Sequence, residues 1–307
     1  MRPVGDVGAD DWLERVGAIN VWKRGDQRAP HKPLLILLAL AAWRRTGSSR
    51  LSFEDAEPEL AGLLQAFGPP GKSVSPQYPF VHLQSDGFWQ LDTDVPVGSS
   101  FTLTQLRNGV AGQLSPEFEG ALSEDPRLAP DVANLVLAGH FPESLHADIC
   151  DAVGLDLDQL EVEMVKARVN RLVRRRDPQF RVRVLRAYSQ RCAMCGFGGL
   201  LSGQAIGVEA AHIRWHAADG PDEVTNGLAL CTVHHKLFDR GVLGASPDGE
   251  ILVSANFAPM SEADDLYVTR LLGREIASPQ STSERPEADH VGWHQQQVFS
   301  GPVRASA

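Results

Sequence analysis

The sequence of 307 residues contains only four cysteines, and none of its apolar runs reaches the length of a transmembrane helix. Nothing near its start resembles a secretory signal, so we expect a cytoplasmic protein in which disulfides are disfavoured. The sequence shows no internal repeat and no glycine-rich phosphate loop. The net charge of −10 argues against indiscriminate coating of DNA, because neutralising phosphates requires local positive potential.

Positive charge is concentrated in one stretch. Between Lys166 and Arg191, ten Lys or Arg residues accompany a single acid, Asp177, so this stretch carries +9 and the rest of the chain −19. A solvated helix face has a similar composition but usually mixes both signs. We therefore interpret the stretch as a segment that contacts phosphates.

The chain is too long for one compact core of ordinary size, and its hydrophobic content of 43% is ample for two. We predict an α+β protein with a first domain at residues 1–150, a basic helical linker at 151–177 and a second domain at 178–307. The first domain is predicted to be mostly helical with a small β-hairpin. One long helix is expected from Leu155 to Arg176, and a mobile stretch from Ala277 to Ala288.

The cysteines of the second half have the spacing of a metal site. Cys192-x-x-Cys195 is followed, after a long insertion, by Cys231-x-x-His234. Three thiolates and an imidazole form a complete tetrahedral ligand set for zinc. A disulfide interpretation is weaker, since Cys150 would be left without a partner. We therefore predict a structural zinc that stabilises the second domain.

Other polar residues of the same region are not needed for that zinc. An imidazole near its neutral pKa, such as that of His212, can take a proton from water. An imidazole and a carboxylate four residues apart on a helix, as in His235 and Asp239, face one metal ion together. These residues, with Asn226, favour phosphodiester hydrolysis assisted by a second cation.

With its Ala-Ala-His212-Ile and Asn226-Gly segments, residues 180–257 resemble the HNH nucleases, or ββα-metal family, in the form found in modification-dependent restriction enzymes. The resemblance implies that His212 is the general base on a β-strand and that Asn226 holds the loop that orients it. It also implies that His235 and Asp239 bind a divalent cation on the following helix.

Ala211 departs from the pattern of that family. Many relatives carry an Asp or a His directly before the base as a further metal ligand. An ion with only two firm protein ligands, completed by water and phosphate oxygens, suits Mg²⁺ or Mn²⁺. Two less specific interpretations stay open, namely that Asn226 before Gly227 is only a turn signal and that the module binds DNA without cutting it.

The first half contains a basic, turn-rich stretch, residues 23–33, in front of an apolar run that begins at Leu34. Pro33 is expected in the first turn of a buried helix, preceded by Arg28, His31 and Lys32. Backbone N–H groups and cations at a helix N-terminus make an anion site.

Further on, the sequence predicts a helix capped by Ser52 and then a hairpin, in which Val81–Leu83 pairs with Phe88–Leu91 around the Asp86-Gly87 turn. Without other information, Tyr78 would be an ordinary strand-entry aromatic. Asp10 is predicted to cap a first helix that runs to Ile19.

These two regions together, over residues 12–118, resemble the sulfur-binding domains of phosphorothioate-dependent restriction enzymes, through Arg-x-Pro-His-Lys-Pro-Leu-Leu and Tyr-Pro-Phe followed by Asp-Gly-Phe-Trp-x-Leu. The resemblance implies that cations grip the DNA backbone and that a small pocket encloses the sulfur. The corresponding residues are Arg28, His31 and Lys32 for the backbone, Tyr78, Pro79 and His82 for the pocket, and Arg107 as a candidate base contact. A small residue is expected where this chain has His82.

The combined prediction is an endonuclease that recognises phosphorothioated double-stranded DNA and cuts nearby. One such site cuts one strand at a time, so we expect a homodimer. Two alternatives from other classes are a nuclease directed to methylated bases, which would need a pocket for a flipped base, and a DNA-binding module without activity.

Overall fold

A computed structural model of the chain describes residues 8–21, 27–28, 30–71, 74–93 and 102–305. Residue 22, together with residues 23–26 and 29 of the basic stretch at 23–33, lies outside this description. The contacts divide the chain into two compact units: Met1–Gly68 with Ser73–Arg174, and Pro69–Lys72 with Arg175–Ala307. The α+β fold class is confirmed. Among the described helices, none combines the length and apolar character required to cross a bilayer.

The first unit is built mainly from helices, with a small antiparallel sheet in the order β1, β3, β2. The helices are α1 (Ala9–Gly17), α2 (His31–Thr46), α3 (Phe53–Phe67), α4 (Gln77–His82), α5 (Leu103–Arg107), α6 (Pro116–Glu124), α7 (Leu128–His140), α8 (His146–Val153), α9 (Leu157–Glu163) and α10 (Lys166–Leu172). The strands are β1 (Leu51–Ser52), β2 (Trp89–Leu91) and β3 (Ala111–Leu114).

Helix α2 is the centre of this unit. Every residue from Pro33 to Ala42 is buried, which confirms the predicted buried helix. The Ser52 side chain accepts a hydrogen bond from the N–H of Asp55, so α3 begins at the predicted cap. The predicted cap of α1 was wrong, because Gly8 occupies that position and Asp10 instead forms an ion pair with Arg171 at 3.2 Å.

The hairpin predicted for Val81–Leu83 does not form. Val81 lies in α4, and residues 83–86 continue as a 3-10 helix that ends at Gly87, where φ is 81°. Phe80 and Leu83 are both fully buried, and this three-residue spacing fits a helix rather than an alternating strand. Only Trp89–Leu91 forms a strand, and it pairs with β3.

The long helix predicted from Leu155 to Arg176 is interrupted between α9 and α10. At the break, the backbone N–H of Val165 donates to the fully buried carboxylate of Asp131. Arg168 on α10 then forms ion pairs with Asp131 at 3.3 Å and with Asp125 at 2.6 Å. A carboxylate from a distant helix thus provides the partner that the helical backbone would otherwise supply.

In the second unit, a β-hairpin packs between two helices, α11 and α12. The helices are α11 (Gln179–Ala187), α12 (Thr232–Asp239), α13 (Glu262–Tyr267) and α14 (Ala288–Gln297). The strands form three antiparallel pairs, β4 (Gly199–Leu201) with β5 (Gln204–Ile206), β6 (Val208–His212) with β7 (Gly227–Cys231), and β8 (Leu243–Ala245) with β9 (Ile251–Val253). Strand β8 pairs with β9 from Leu243↔Val253 to Ala245↔Ile251.

The segment after α13 was expected to be mobile, and this was wrong. The N–H of Ala277 donates to the carbonyl of Ala193, and the N–H of Gln280 donates to that of Ala187, both at 2.8 Å. Trp293 of helix α14 is buried, as is Phe299 just beyond the helix.

The break between α9 and α10 leads to a stability prediction. We expect Asp131→Ala to lower the free energy of unfolding by roughly 2–4 kcal/mol, because it leaves a buried N–H and a partly buried guanidinium without their acceptor. Urea unfolding measures the change. Asp10→Ala is the control, since its ion pairs are half exposed and contribute about 0–1 kcal/mol. Equal effects of the two substitutions would contradict the prediction.

Candidate active site and metal centres

The predicted zinc ligands come together in the second unit. One ligand atom from each of Cys192, Cys195, Cys231 and His234 can be chosen so that all four lie within 4.8 Å of one another. Nδ1 of His234 lies 3.3 Å from the sulfur of Cys192 and 3.2 Å from that of Cys231. Ligands bound tetrahedrally to one zinc at about 2.0–2.3 Å lie at comparable separations. These residues therefore fit a zinc ion.

Local backbone contacts position this cluster. The Cys192 knuckle is joined to β7 by a hydrogen bond from the N–H of Ala193 to the carbonyl of Ala229, 2.7 Å long. Cys231 ends β7, and α12 begins at the next residue. His234 lies in the first turn of that helix. Its Nε2–H donates to the carbonyl of Tyr267 at 2.9 Å, which leaves Nδ1 to face the sulfurs.

The pKa values of two thiols of the cluster, those of Cys192 and Cys231, are shifted in opposite directions. A hydrogen bond from the Cys231 thiol lowers the pKa of Cys192 to about 3, although burial opposes this shift. The pKa of Cys231 is raised, chiefly because its proton is held by Cys192 and because it is desolvated. A thiolate is therefore favoured at Cys192, which is the form that binds a metal.

The predicted base, His212, lies at the end of β6, opposite Gly227 of β7. A Cβ atom at Gly227 would lie only 2.5 Å from Val184, so the glycine allows α11 to approach closely. Phe180 of α11 consequently stacks on the imidazole, with ring centroids 4.0 Å apart. Nε2 of His212 lies 2.8 Å from Oδ1 of Asp222.

Burial dominates the protonation of His212. It lowers the pKa of the imidazole to about 4, although the hydrogen bond to Asp222 acts in the opposite direction. The pKa of Asp222 is also lowered, since hydrogen bonds from the Asp177 N–H and from His212 outweigh desolvation. At neutral pH the pair is thus a neutral imidazole beside a carboxylate, which is the state that can accept a proton.

Asn226 is fully buried and closes the loop that follows the base. Its Nδ2 donates to the carbonyls of Arg214, at 3.0 Å, and Pro221, at 2.9 Å. Its Oδ1 accepts the N–H of Arg214 at 2.8 Å. The side chain therefore ties both ends of the loop together, which is more than a turn signal requires.

His235 and Asp239 lie one turn apart on α12, with Nε2 of His235 3.2 Å from Oδ2 of Asp239. Two neighbouring ligands of an octahedral Mg²⁺ lie about 3 Å apart, so these two atoms fit such an ion. Nδ1 of His235 contacts Oε2 of Glu209 at 2.6 Å. Desolvation lowers the pKa of His235, but the hydrogen bonds to Asp239 and Glu209 outweigh it and raise the pKa to about 10.

Three residues of this site were not identified from the sequence, namely Glu209, Asp222 and Trp215. The indole N–H of Trp215 donates to Oδ1 of Asp239 at 3.0 Å and so orients the carboxylate. Glu209 lies two residues before Ala211, and alternate residues of a strand share a face. The position of Glu209 on the same face of β6 as Ala211 was the sequence feature that could have identified it.

In the first unit, the aromatic pocket residues lie on α4. Tyr78 is 59% exposed, and its ring stacks on that of His82 with a centroid distance of 6.0 Å. Pro79 is buried. The structure therefore brings Tyr78 and His82 together on the surface of the unit, whereas Pro79 contributes mainly to the core.

The cations of the first unit that were predicted to contact DNA, at its backbone or, for Arg107, at its bases, have protein partners. Lys32, 11% exposed, donates to Asp86 at 2.6 Å and to the carbonyl of Asn20 at 2.8 Å. Arg107 forms a bidentate ion pair with Glu57, in which two guanidinium nitrogens donate to the two carboxylate oxygens at 2.6 and 2.7 Å. Arg28 lies 3.4 Å from the carbonyl of Phe67, and His31 opens α2. The buried ion pair of Lys32 stabilises the fold, and the roles of these residues at DNA stay predictions.

In the basic stretch from Lys166 to Arg191, some arginines pair within the protein and others are exposed. Arg183 donates to Asp177 at 2.8 Å and to the carbonyl of Asp222 at 2.7 Å. Arg175, Arg176 and Arg186 are exposed. The predicted contact with phosphates can therefore involve only part of the stretch.

Comparison with protein families identifies an endonuclease that carries its own DNA-binding domain. Residues 9–158 match the model of the ScoMcrA-like DNA sulfur-binding domain, and residues 192–244 match that of the HNH endonucleases. Residues 9–158 are therefore a ScoMcrA-like DNA sulfur-binding domain and residues 192–244 lie in an HNH endonuclease domain, which makes the protein a DNA-cleaving hydrolase.

Solved structures show weaker similarity. The sulfur-binding domain of SprMcrA complexed with phosphorothioated DNA is 23% identical over 49% of this chain and 96% of its own, with a TM-score of 0.42. That of ScoMcrA is 24% identical over 48% and 97%, with a TM-score of 0.41. The Type IV restriction endonuclease ScoMcrA is 21% identical over 64% of this chain but only 36% of its own, with a TM-score of 0.39. The comparison with curated proteins found no match.

The ligand cluster predicts a tightly held zinc. We expect about one zinc per chain by elemental analysis, and chelation should unfold the second unit because its hairpin and α12 are joined through the ligands. Cys231→Ser should lose the metal, whereas Cys150→Ser, outside the cluster, should retain it. A folded protein purified without zinc would rule this site out.

Proposed function

We propose that this chain recognises phosphorothioated DNA through its first unit and hydrolyses a nearby phosphodiester bond at the HNH site of its second. The observation that carries the proposal is the placement of His212, Asn226, His235 and Asp239 on one β6–β7–α12 unit, inside the segment that matches the HNH endonucleases. The match of residues 9–158 to a DNA sulfur-binding domain supports the choice of DNA.

The reaction begins with a water molecule. His212 takes a proton from it, the water oxygen forms a bond to phosphorus, and the bond from phosphorus to the 3′ oxygen breaks. Asn226 keeps the loop beyond β6 closed and so holds the base in place. His235 and Asp239 are the residues that would hold a divalent cation, which would neutralise charge on the phosphorane and on the departing 3′ oxygen until that oxygen takes a proton from solvent.

Mg²⁺ or Mn²⁺ is the ion we propose. The position before the base, Ala211, offers no ligand atom, so water and phosphate oxygens must complete the coordination. Glu209 on the same strand face contacts Nδ1 of His235, and it would fix the ring with Nε2 toward the ion. The zinc of the cysteine cluster has a separate, structural role.

Recognition of sulfur is assigned to the exposed Tyr78 and His82 pair. Replacing a non-bridging phosphate oxygen by sulfur keeps the charge but gives a larger, poorly hydrated atom. An aromatic wall gains from removing such an atom from water, whereas cations attract both backbones. Arg28 and His31 would therefore supply affinity, and Tyr78 would supply selectivity.

We further propose a homodimer in the cytoplasm. Each chain carries one HNH site, and one site cuts one strand at a time. Two chains would allow both strands of a duplex to be cut in one encounter. The cellular location follows from the substrate, which is DNA inside the cell.

Loss of the base predicts loss of turnover without loss of binding. We expect His212→Ala to lower the cleavage rate by at least a hundredfold while the Kd for DNA changes less than threefold, because a base acts in the reaction and not in docking. Single-turnover cleavage with Mg²⁺ or Mn²⁺ and equilibrium binding measure the two quantities. A variant that cleaves within tenfold of the parent would place the base elsewhere.

Selectivity for sulfur predicts a specific effect of Tyr78→Ala. Enclosing the sulfur contributes roughly 1–3 kcal/mol by analogy with burial of a comparable apolar group, or about tenfold to a hundredfold in affinity. Tyr78→Ala should therefore lower the ratio of affinities for phosphorothioated and plain duplexes, and Tyr78→Phe, which keeps the ring, should preserve it. Arg28→Ala should weaken both and reduce the salt dependence.

The control is a set of matched duplexes, one plain, one phosphorothioated and one with methylated bases. Equal binding of the parent protein to the plain and phosphorothioated duplexes at physiological salt would overturn the sulfur assignment. Preference for the methylated duplex would instead favour the alternative function, a nuclease directed to methylated bases.

A further inference from the structure

Asp222 is an acidic residue in direct contact with the proposed base. Its Oδ1 lies 2.8 Å from Nε2 of His212, and its side chain is only 13% exposed. It lies ten residues beyond His212, in the loop that Asn226 closes. This contact adds a second constraint on the imidazole, besides the stacked ring of Phe180.

The carboxylate is itself held from other elements. Its Oδ2 accepts the backbone N–H of Asp177 at 2.6 Å. Arg183 of α11 donates to the Asp222 carbonyl at 2.7 Å and to the Asp177 carboxylate at 2.8 Å. Nε2 of His216 lies 3.9 Å from Oδ2. Asp222 is thus fixed by the start of α11 and not only by its own loop.

We propose that Asp222 is the positioning residue of the general base, which keeps the proton of neutral His212 on Nε2 so that Nδ1 takes the proton from water. The inference rests on the proposed function, because it assumes that His212 is the base. A carboxylate is an acceptor only, so it requires an N–H at the nitrogen that faces it. The remaining nitrogen then carries the lone pair.

The same contact assists the chemical step. When Nδ1 takes the proton from water, His212 becomes an imidazolium with protons on both nitrogens. Asp222 stays ionised and stabilises that cation, while the oxygen–phosphorus bond forms and the bond to the 3′ oxygen breaks. The other charged groups that influence the ring are Arg176 and His216, and both oppose its positive charge. Among these charged neighbours, Asp222 is therefore the one that favours protonation of His212.

Asp222→Asn separates this role from packing. The amide has the shape of the carboxylate but can donate to Nε2, which moves the imidazole proton to Nδ1 and blocks the base. We expect single-turnover cleavage to fall by roughly 10²–10⁴-fold, as for other carboxylate–histidine pairs. The Kd for DNA, the zinc content and the thermal unfolding midpoint should stay within error of the parent. Glu223→Gln, the adjacent exposed acid, is the matched control and should leave cleavage unchanged.

A double-mutant cycle with His212→Ala shows whether the two residues act as one unit. We expect Asp222→Asn to have less than a threefold effect in the His212→Ala background. An undiminished effect there would mean that Asp222 acts independently of the base, and the inference would fail. If the His212→Ala variant cleaves as fast as the parent, His212 is not the base and the proposed function is wrong. If His212→Ala is inactive but Asp222→Asn cleaves as fast as the parent, only the positioning role of Asp222 is wrong.

The tautomer can also be read directly in the unmutated protein. Nitrogen-15 NMR of histidine-labelled enzyme, with His212→Ala to assign the signals, reports which ring nitrogen carries the proton. We expect protonated Nε2 and unprotonated Nδ1 for His212 at pH 7, and a shift toward protonated Nδ1 in Asp222→Asn. A proton on Nδ1 in the parent would overturn the inference even if the variant failed to fold.

Discussion

The four-ligand cluster is the constraint on which the second unit depends. It joins the knuckle after α11 to the start of α12, so that α12 is anchored at its first turn. Successive residues of a helix point about 100° apart. Fixing His234 against the sulfurs therefore directs His235 to a different face, toward Glu209 and Asp239. In the proposed function, two adjacent histidines would thus belong to two different metal sites, one structural and one catalytic.

The pKa values of the two histidines of the candidate site are shifted in opposite directions, because the two side chains have different numbers of carboxylate neighbours. His212 is buried beside one carboxylate, and desolvation keeps it neutral. His235 lies between Glu209 and Asp239, and their combined charge outweighs its desolvation. The difference comes from the surroundings and not from the residue type. Two carboxylates around His235 favour positive charge there, and a metal ion would have to replace the imidazole proton in order to bind.

Much of this site could be predicted from the sequence, since the zinc ligands lie in two short segments of fixed spacing and His235 and Asp239 share one helix face. Asp222 could not, because it reaches His212 through a loop whose closure depends on Asn226 and whose anchor is the start of α11. The same limit explains the errors in the first unit. The break before α10 depends on Asp131, which lies 34 residues away, and the supposed hairpin at Val81 is a helix because Phe80 and Leu83 both pack inward.

Strand β6 carries residues of the candidate site on both of its faces. Glu209 points to α12 and the cation ligands, whereas His212 points to α11, where Phe180 covers it. Because the side-chain period of a strand is two residues, sliding β6 by one position against β7 would exchange these faces. His212 would then face α12, and Glu209 would face α11. The hydrogen-bond register from Val208↔Cys231 to His212↔Gly227 therefore determines which helix each of these side chains faces.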